Sequence, residues 1–205
     1  MRPESPASLR EQHAEFTRDA ILRALAQLLE VENPGDIAMP DVARKAGVAL
    51  RTVYRYFTTR EELLAAAADW LNEQRFGGVP FGDTVDEIPR IFRQACERWD
   101  EHPQLVRAMA LSQAGRRVRS HRRVQRLAAL RRALVAVTDR LPKREQRQAF
   151  AVLAYLENML AWVTMRDEGG LTSREAGEAV EWAMRTLIDD LRRRNAAAGR
   201  AKGGT

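Results

Sequence analysis

Apolar residues recur at helical spacing from about Arg10 to Arg194, and no convincing alternating strand pattern interrupts them. Such a chain has to bury its helical stripes against one another, so the expected fold class is all-α. A first helix is expected over about 10–30, with Phe16, Ala20, Ala24 and Leu28 in one row and Ile21, Leu25 and Leu29 beside it. The run Asn33-Pro34-Gly35-Asp36 reads as the turn that ends it. A short helix follows over about 40–46, with Pro40 in its first turn, where proline is tolerated. Gly47 breaks that helix, and a third covers about 50–57. A fourth begins at Thr58 or Thr59, each of which has a Glu three residues later in the capping-box spacing.

The stretch Gly77-Gly78-Val79-Pro80-Phe81-Gly82 is the clearest linker and sets the expected division. Residues 10–76 form an amino-terminal head, 83–195 a helical body, and 196–205 a flexible tail. Body helices are expected over about 86–101, 103–114, 116–140, 143–167 and 173–194. Pro89 sits near the start of the first of these. The last opens on the capping box Thr172-Ser173-Arg174-Glu175.

Composition removes several classes of function. The longest unbroken apolar run, Ala149 to Leu156, is far short of the roughly 18 residues a membrane span needs. No apolar stretch near Met1 resembles a signal peptide, so no membrane association and a cytoplasmic location are expected. Cys96 is the single cysteine, which excludes an intrachain disulfide and a cysteine-cluster metal site. The three histidines are scattered and no phosphate-cradling glycine loop is present, so neither an enzyme, a metal site nor a cofactor is expected. The net charge of +6 is carried mostly by Arg. That balance suits phosphate recognition but equally reflects a G+C-rich genome, so its distribution matters more than its size. Val42 to Arg60 holds five bases and no acid, and a second carboxylate-free block runs from Arg116 to Arg132.

The segment Asp41 to Phe57 carries the functional reading. Val42, Ala43 and Ala46 give its first helix a small inner face, Gly47 supplies the positive φ of a sharp turn, and Val48 plugs the corner. In the next helix Leu50, Val53, Tyr54 and Phe57 follow i, i+3, i+4, i+7 and anchor it, leaving Arg51, Thr52, Arg55 and Tyr56 outward. A helix anchored on one side, with donors and a hydroxyl on the other, is what reading a major groove requires. The pattern fits a helix-turn-helix over about 39–57 and also an ordinary three-helix core whose exposed side happens to be basic.

These residues resemble the signature of the TetR family of transcriptional regulators. The resemblance rests on Val42-Ala43, Ala46-Gly47-Val48, Thr52-Val53-Tyr54-Arg55-Tyr56-Phe57 and Arg60-Glu61-Glu62-Leu63, and spans about residues 16–64. It implies a three-helix DNA-binding head on a ligand-binding and dimerisation body, acting as a repressor released by a small molecule. Leu50, Arg51 and Thr52 fall where the family reads bases, and Tyr54, Tyr56 and Arg60 where it grips phosphates. Arg44 and Arg55 complete the expected DNA-binding set. The helical wheel puts Leu50 on the core side, whereas the resemblance puts it toward DNA. Met39 and Ala49 stand where the family usually has hydroxyl residues that cap the second and third helices.

In the body, Phe150, Leu153, Leu156, Leu160 and Val163, then Val180, Met184, Leu187 and Leu191, mark two wide apolar faces. Ala176, Gly177, Ala179 and Ala183 permit close helix approach. These faces pack either within one chain or, as the resemblance implies, against their copies in a homodimer reading an inverted-repeat operator in double-stranded DNA. Trp99, His102, Met109, Tyr155, Met159 and Trp162 are candidate pocket residues for a small-molecule effector. The Arg116–Arg132 block reads either as a solvated helix face or as a surface facing an acidic ligand such as a coenzyme A thioester or carboxylate.

Overall fold

The computed structural model describes residues 9–30 and 37–203, so the expected turn at Asn33–Asp36 lies outside the described residues. The described residues form ten helices and no strand, which makes the fold all-α as expected. They are α1 (Leu9–Leu29), α2 (Met39–Ala46), α3 (Leu50–Tyr56), α4 (Arg60–Arg75), α5 (Glu87–Asp100), α6 (Pro103–Leu111), α7 (Gln113–Thr138), α8 (Lys143–Leu156), α9 (Met159–Asp167) and α10 (Ser173–Gly203). None is long and apolar enough to cross a membrane.

Helix α1 buries Ile21, Leu22, Leu25 and Leu29 against α2 and α4. Phe16, expected in the inner row, is instead 74% exposed. No residue of α1 before Ile21 is buried. Helix α4 is tied back to α1 by the indole of Trp70, which donates to Asp19 Oδ1 at 2.7 Å.

The body is organised around α5 and α10, which pack closely along Ala95, Cys96, Ala176 and Val180. Gly177 lies against Cys96, so a Cβ there would stand 3.3 Å from that residue's own Cβ. The small-residue face of α10 therefore serves contact within the chain. A buried relay closes the junction with α9: Trp162 Nε1 donates to Ser173 Oγ at 2.9 Å, and Ser173 Oγ donates to the Cys96 carbonyl at 2.9 Å. Phe92, Trp99 and Trp162 stack edge to face in series, with centroids 5.6 and 6.0 Å apart.

Two helix boundaries depart from the sequence expectation. The single helix expected over 143–167 is two, because Asn158 breaks it and caps the second half, its Oδ1 accepting the Leu160 N–H at 3.0 Å. The last helix does not stop near 194 but continues to Gly203. Asn195 lies buried, taking the Arg140 N–H at 2.9 Å and donating to Asp139 at 2.8 Å, which holds that part of α10 against the end of α7. The start of α10 is as expected: Thr172 and Glu175 exchange backbone and side-chain hydrogen bonds as a capping box.

Helix α7 begins where it crosses α6, and the crossing is set by Gly115. A Cβ at that position would overlap the Ala108 carbonyl and the Met109 backbone. Gly115→Ala should lower the unfolding free energy by about 1–3 kcal/mol through overpacking, measured by urea denaturation.

Candidate nucleic-acid interface

The turn between α2 and α3 is built by hydrogen bonds that only an αL residue completes. Gly47 has φ +69°, its N–H donates to the Arg44 carbonyl at 3.3 Å, and the Val48 N–H donates to the Ala43 carbonyl at 3.1 Å. These are the paired bonds of a Schellman motif, closing α2 and redirecting the chain into α3. Both helices start without a side-chain cap. The first cap position falls at Ala38, while Met39 packs in the core, and Ala49 begins α3. Helix α4 is capped by Thr59, whose Oγ1 accepts the Glu62 N–H at 3.1 Å, while Glu62 Oε2 accepts the Thr58 N–H at 2.8 Å.

Helix α3 is rotated relative to the wheel drawn from its sequence. Val53 and Phe57 are buried as expected, but Leu50 and Tyr54 are 38% and 48% exposed. Thr52 and Tyr56 are half-buried instead, Tyr56 packing against the core. In a helix of seven residues, stripes 50/53/54/57 and 52/53/56/57 share the same two anchors, and contact with neighbouring helices decides between them. The outward face is therefore Leu50, Arg51, Tyr54 and Arg55. The disagreement over Leu50 resolves toward solvent.

The expected basic residues have distinct surroundings. Arg51 and Arg55 are exposed, with the Arg55 guanidinium 5.1 Å from the Tyr56 ring centroid. Arg44 is exposed and pairs with Asp41 one turn earlier. Arg60 is half-buried, and its Nε donates to the Ile37 carbonyl at 2.9 Å, tying the start of α4 to the segment leading into α2. Its guanidinium thus has a structural role that the sequence alone does not reveal.

In the body a cavity of about 160 Å³ lies between α4, the Val79–Gly82 segment, α5 and α7. Of the residues singled out in the sequence, Trp99, Met109 and Met159 line it. The other three expected pocket residues do not: Tyr155 is 54% exposed, Trp162 is fully buried in the Ser173 relay, and His102 sits at the start of α6. Arg119, Arg122, Arg123 and Arg126, from the block that sequence left between a solvated face and a surface facing an acidic ligand, form one wall with Glu157 and Asn158. Their i, i+3, i+4, i+7 spacing was the available signal, since it places four side chains on one helix face.

Three of these arginines end on main-chain carbonyls. Arg119 donates to Met109 and Ala110 at 2.6 and 3.0 Å, Arg126 to Ala154 at 3.1 Å, and Arg122 to Val79 at 3.3 Å. Burial, together with the neighbouring charges of Arg126, Arg123 and Arg116, brings the Arg119 guanidinium down to about 10. Arg126 pairs with Glu157 at 2.7 Å, yet burial outweighs that pairing and pushes the Glu157 carboxyl up to about 7 from its ordinary 4.5. The folded protein therefore holds the Glu157 proton more tightly than the unfolded chain does. That contribution to stability is complete below about pH 4.5 and lost as pH rises toward 7. Glu157→Gln should flatten the stability profile between those two values, read by chemical denaturation across the range.

Comparison with known proteins places this geometry. Residues 21–67 match the family model described as bacterial regulatory proteins, tetR family. Over 184 residues the chain is 26% identical to the HTH-type transcriptional repressor KstR of Rhodococcus jostii, covering 86% of this chain and 85% of that one. It is 32% identical over 100 residues to the HTH-type transcriptional regulator EthR of Mycolicibacterium smegmatis, covering 44% of this chain and 45% of the relative. Among solved structures, Pseudomonas aeruginosa NalD, described as the secondary repressor of the MexAB-OprM multidrug efflux pump, shares the fold with a TM-score of 0.59. Its identity is 18%, over 85% of this chain and 96% of its own. The chain thus carries a helix-turn-helix head that matches the tetR family model over residues 21–67, set on a helical body, and over most of its length it is similar to a transcriptional repressor.

Proposed function

We propose that the protein is a homodimeric repressor that reads an inverted-repeat operator through α3 and is released from it by a small molecule bound in the body. The observation that carries the reading is the split of α3 into a buried anchor, Val53 with Phe57, and a solvent-facing set of Leu50, Arg51, Tyr54 and Arg55. Arg51, at the amino-terminal end of α3, is placed to meet base edges, where a bidentate guanidinium discriminates by about 1–3 kcal/mol. Thr52 is half-buried beside it and offers a hydroxyl at the edge of the same face. Arg44, Tyr54 and Arg55 flank it for phosphates, which position the helix without reading sequence. The regulator works in the cytoplasm, where its operator lies.

Dimerisation is supported by the outer surfaces of α8 and α10. Trp182 is 71% exposed, and Val152 and Tyr155 on the neighbouring α8 are also exposed. Large apolar side chains left in water on two adjacent helices suit burial against a second copy. The stripe Val180, Met184 and Leu191, considered for this role from sequence, is already buried within the chain.

Release follows from how the cavity meets α4. Asp69 of α4 is held by Arg122 at 3.4 Å and lies 3.5 Å from His121, both on α7. This link joins the helix that supports the head to the wall of the cavity. A ligand that shifts α7 would swing α4 and change the separation of the two α3 helices, which must enter grooves about 34–36 Å apart or a multiple of that spacing. By linkage, a ligand that weakens operator binding tenfold is itself bound tenfold more weakly by the DNA complex.

A gel shift against the DNA upstream of the protein's own gene tests the reading, with binding that is selective over random duplex as the expected result. Arg51→Ala should lose discrimination between operator and random DNA by about 1–3 kcal/mol. Arg60→Ala should weaken binding to both equally and also lower thermal stability, because it releases Ile37. Equal losses on both DNAs for Arg51→Ala would overturn the assignment of α3. Trp182→Glu should give a monomer by light scattering with much reduced operator affinity, and an unchanged dimer would move the interface elsewhere.

A further inference from the structure

We infer that the effector of this regulator is an anionic amphiphile, a molecule that sets a compact apolar group in the body cavity and presents carboxylate or phosphate oxygens to the arginines of α7. The inference rests on the proposed role of this cavity and adds the chemistry of what fills it.

The cavity has two unlike halves. Phe92, Trp99, Met109 and Met159 form an apolar side, two aromatic rings with two adaptable thioethers. A space of about 160 Å³ is close to that of a cavity known to accept an aromatic ring. The opposite wall carries Arg119, Arg122, Arg123 and Arg126, with Glu157 the one carboxylate among the described lining residues. Arg126 takes that carboxylate, Arg119 is committed to carbonyl oxygens, and Arg122 is shared between Asp69 and Val79. Arg123 makes no hydrogen bond or ion pair among the described residues and adds its charge to that felt by Arg119 and Arg126.

Four cations on one wall with a single anion among them repel one another, most strongly at Arg119 and Arg126, which are partly withdrawn from water, while Arg123 stands exposed at the mouth. An arriving anion relieves it and finds a free guanidinium in Arg123 and a second in Arg122, whose present partner Asp69 is half exposed. A neutral ligand leaves the repulsion in place, and an ammonium adds to it. The ligand's anion also competes with Asp69 for Arg122, which ties occupancy of the cavity to the link with α4.

The test is calorimetric titration of the full-length protein, without DNA, with four matched probes: 4-phenylbutyrate, 4-phenylbutyl phosphate, 4-phenylbutanol and 4-phenylbutylamine. The expected result is that the carboxylate or the phosphate binds at least tenfold more tightly than the alcohol, and the amine more weakly still. The better of the two anions then identifies the head group. Arg123→Gln should remove most of the preference for the anion, Arg123→Lys should retain it, and Arg132→Gln, an exposed arginine of α7 outside the cavity lining, should leave it unchanged. Tighter binding of the alcohol or the amine, equal loss in the Arg132 variant, or no binding of any probe overturns the inference. Operator affinity measured separately with the best anion keeps the two readings apart. An anion that binds with the stated preference but leaves DNA binding unaltered overturns release by ligand, while the chemistry of the cavity stands.

Discussion

Much of the body depends on arginines of α7 reaching carbonyl groups at the ends of other helices. The last turn of a helix leaves carbonyl oxygens without intrahelical partners and carries the negative end of its dipole. Arg119 takes up Met109 and Ala110 in the last turn of α6, and Arg126 takes up Ala154 in the last turn of α8. A buried cation is costly unless it is hydrogen-bonded, and a buried carbonyl likewise. Each therefore satisfies the other, and together they fix where α6 and α8 end against α7. Gly115 makes the arrangement possible by letting α7 cross α6 without a Cβ between them.

The same helix links the body to the head. Arg122 reaches Asp69 on α4 and the Val79 carbonyl in the segment after it, and its guanidinium lies 4.7 Å from the centroid of Phe81. Helix α4 in turn holds α1 through Trp70 and Asp19, while Arg60 at its start holds Ile37 at the entrance to α2. A displacement of α7 therefore has a continuous polar route to the helix-turn-helix. These polar contacts are partly solvent-exposed, with Asp69 half exposed and Arg122 less so.

Local chemistry was legible wherever a residue's effect is confined to its own turn. Gly47 could be assigned its positive φ, Thr59 or Thr58 its capping role, and Thr172 with Glu175 its capping box, because each depends on neighbours within four residues. Asn158 is of the same kind, but its cap on α9 lies inside what reads as one long apolar stripe. The orientation of α3 was not legible in this way. Val53 and Phe57 belong to both possible stripes, and the packing around Tyr56 selects one.

From the order of residues alone follow the all-α class, the position of the helix-turn-helix and its resemblance to the TetR family, since these rest on periodicity and on side chains close together in the chain. Tertiary packing alone decided that the arginines at 119, 122 and 126 turn inward. A stripe of charges at helical spacing ordinarily means a solvated face, because desolvation opposes burying it. Here the carbonyls of α6 and α8 and the carboxylate of Glu157, residues 9 to 31 positions distant in sequence, meet those charges in space and offset much of that cost. No window along the chain contains that information, because the compensation exists only once the helices are assembled.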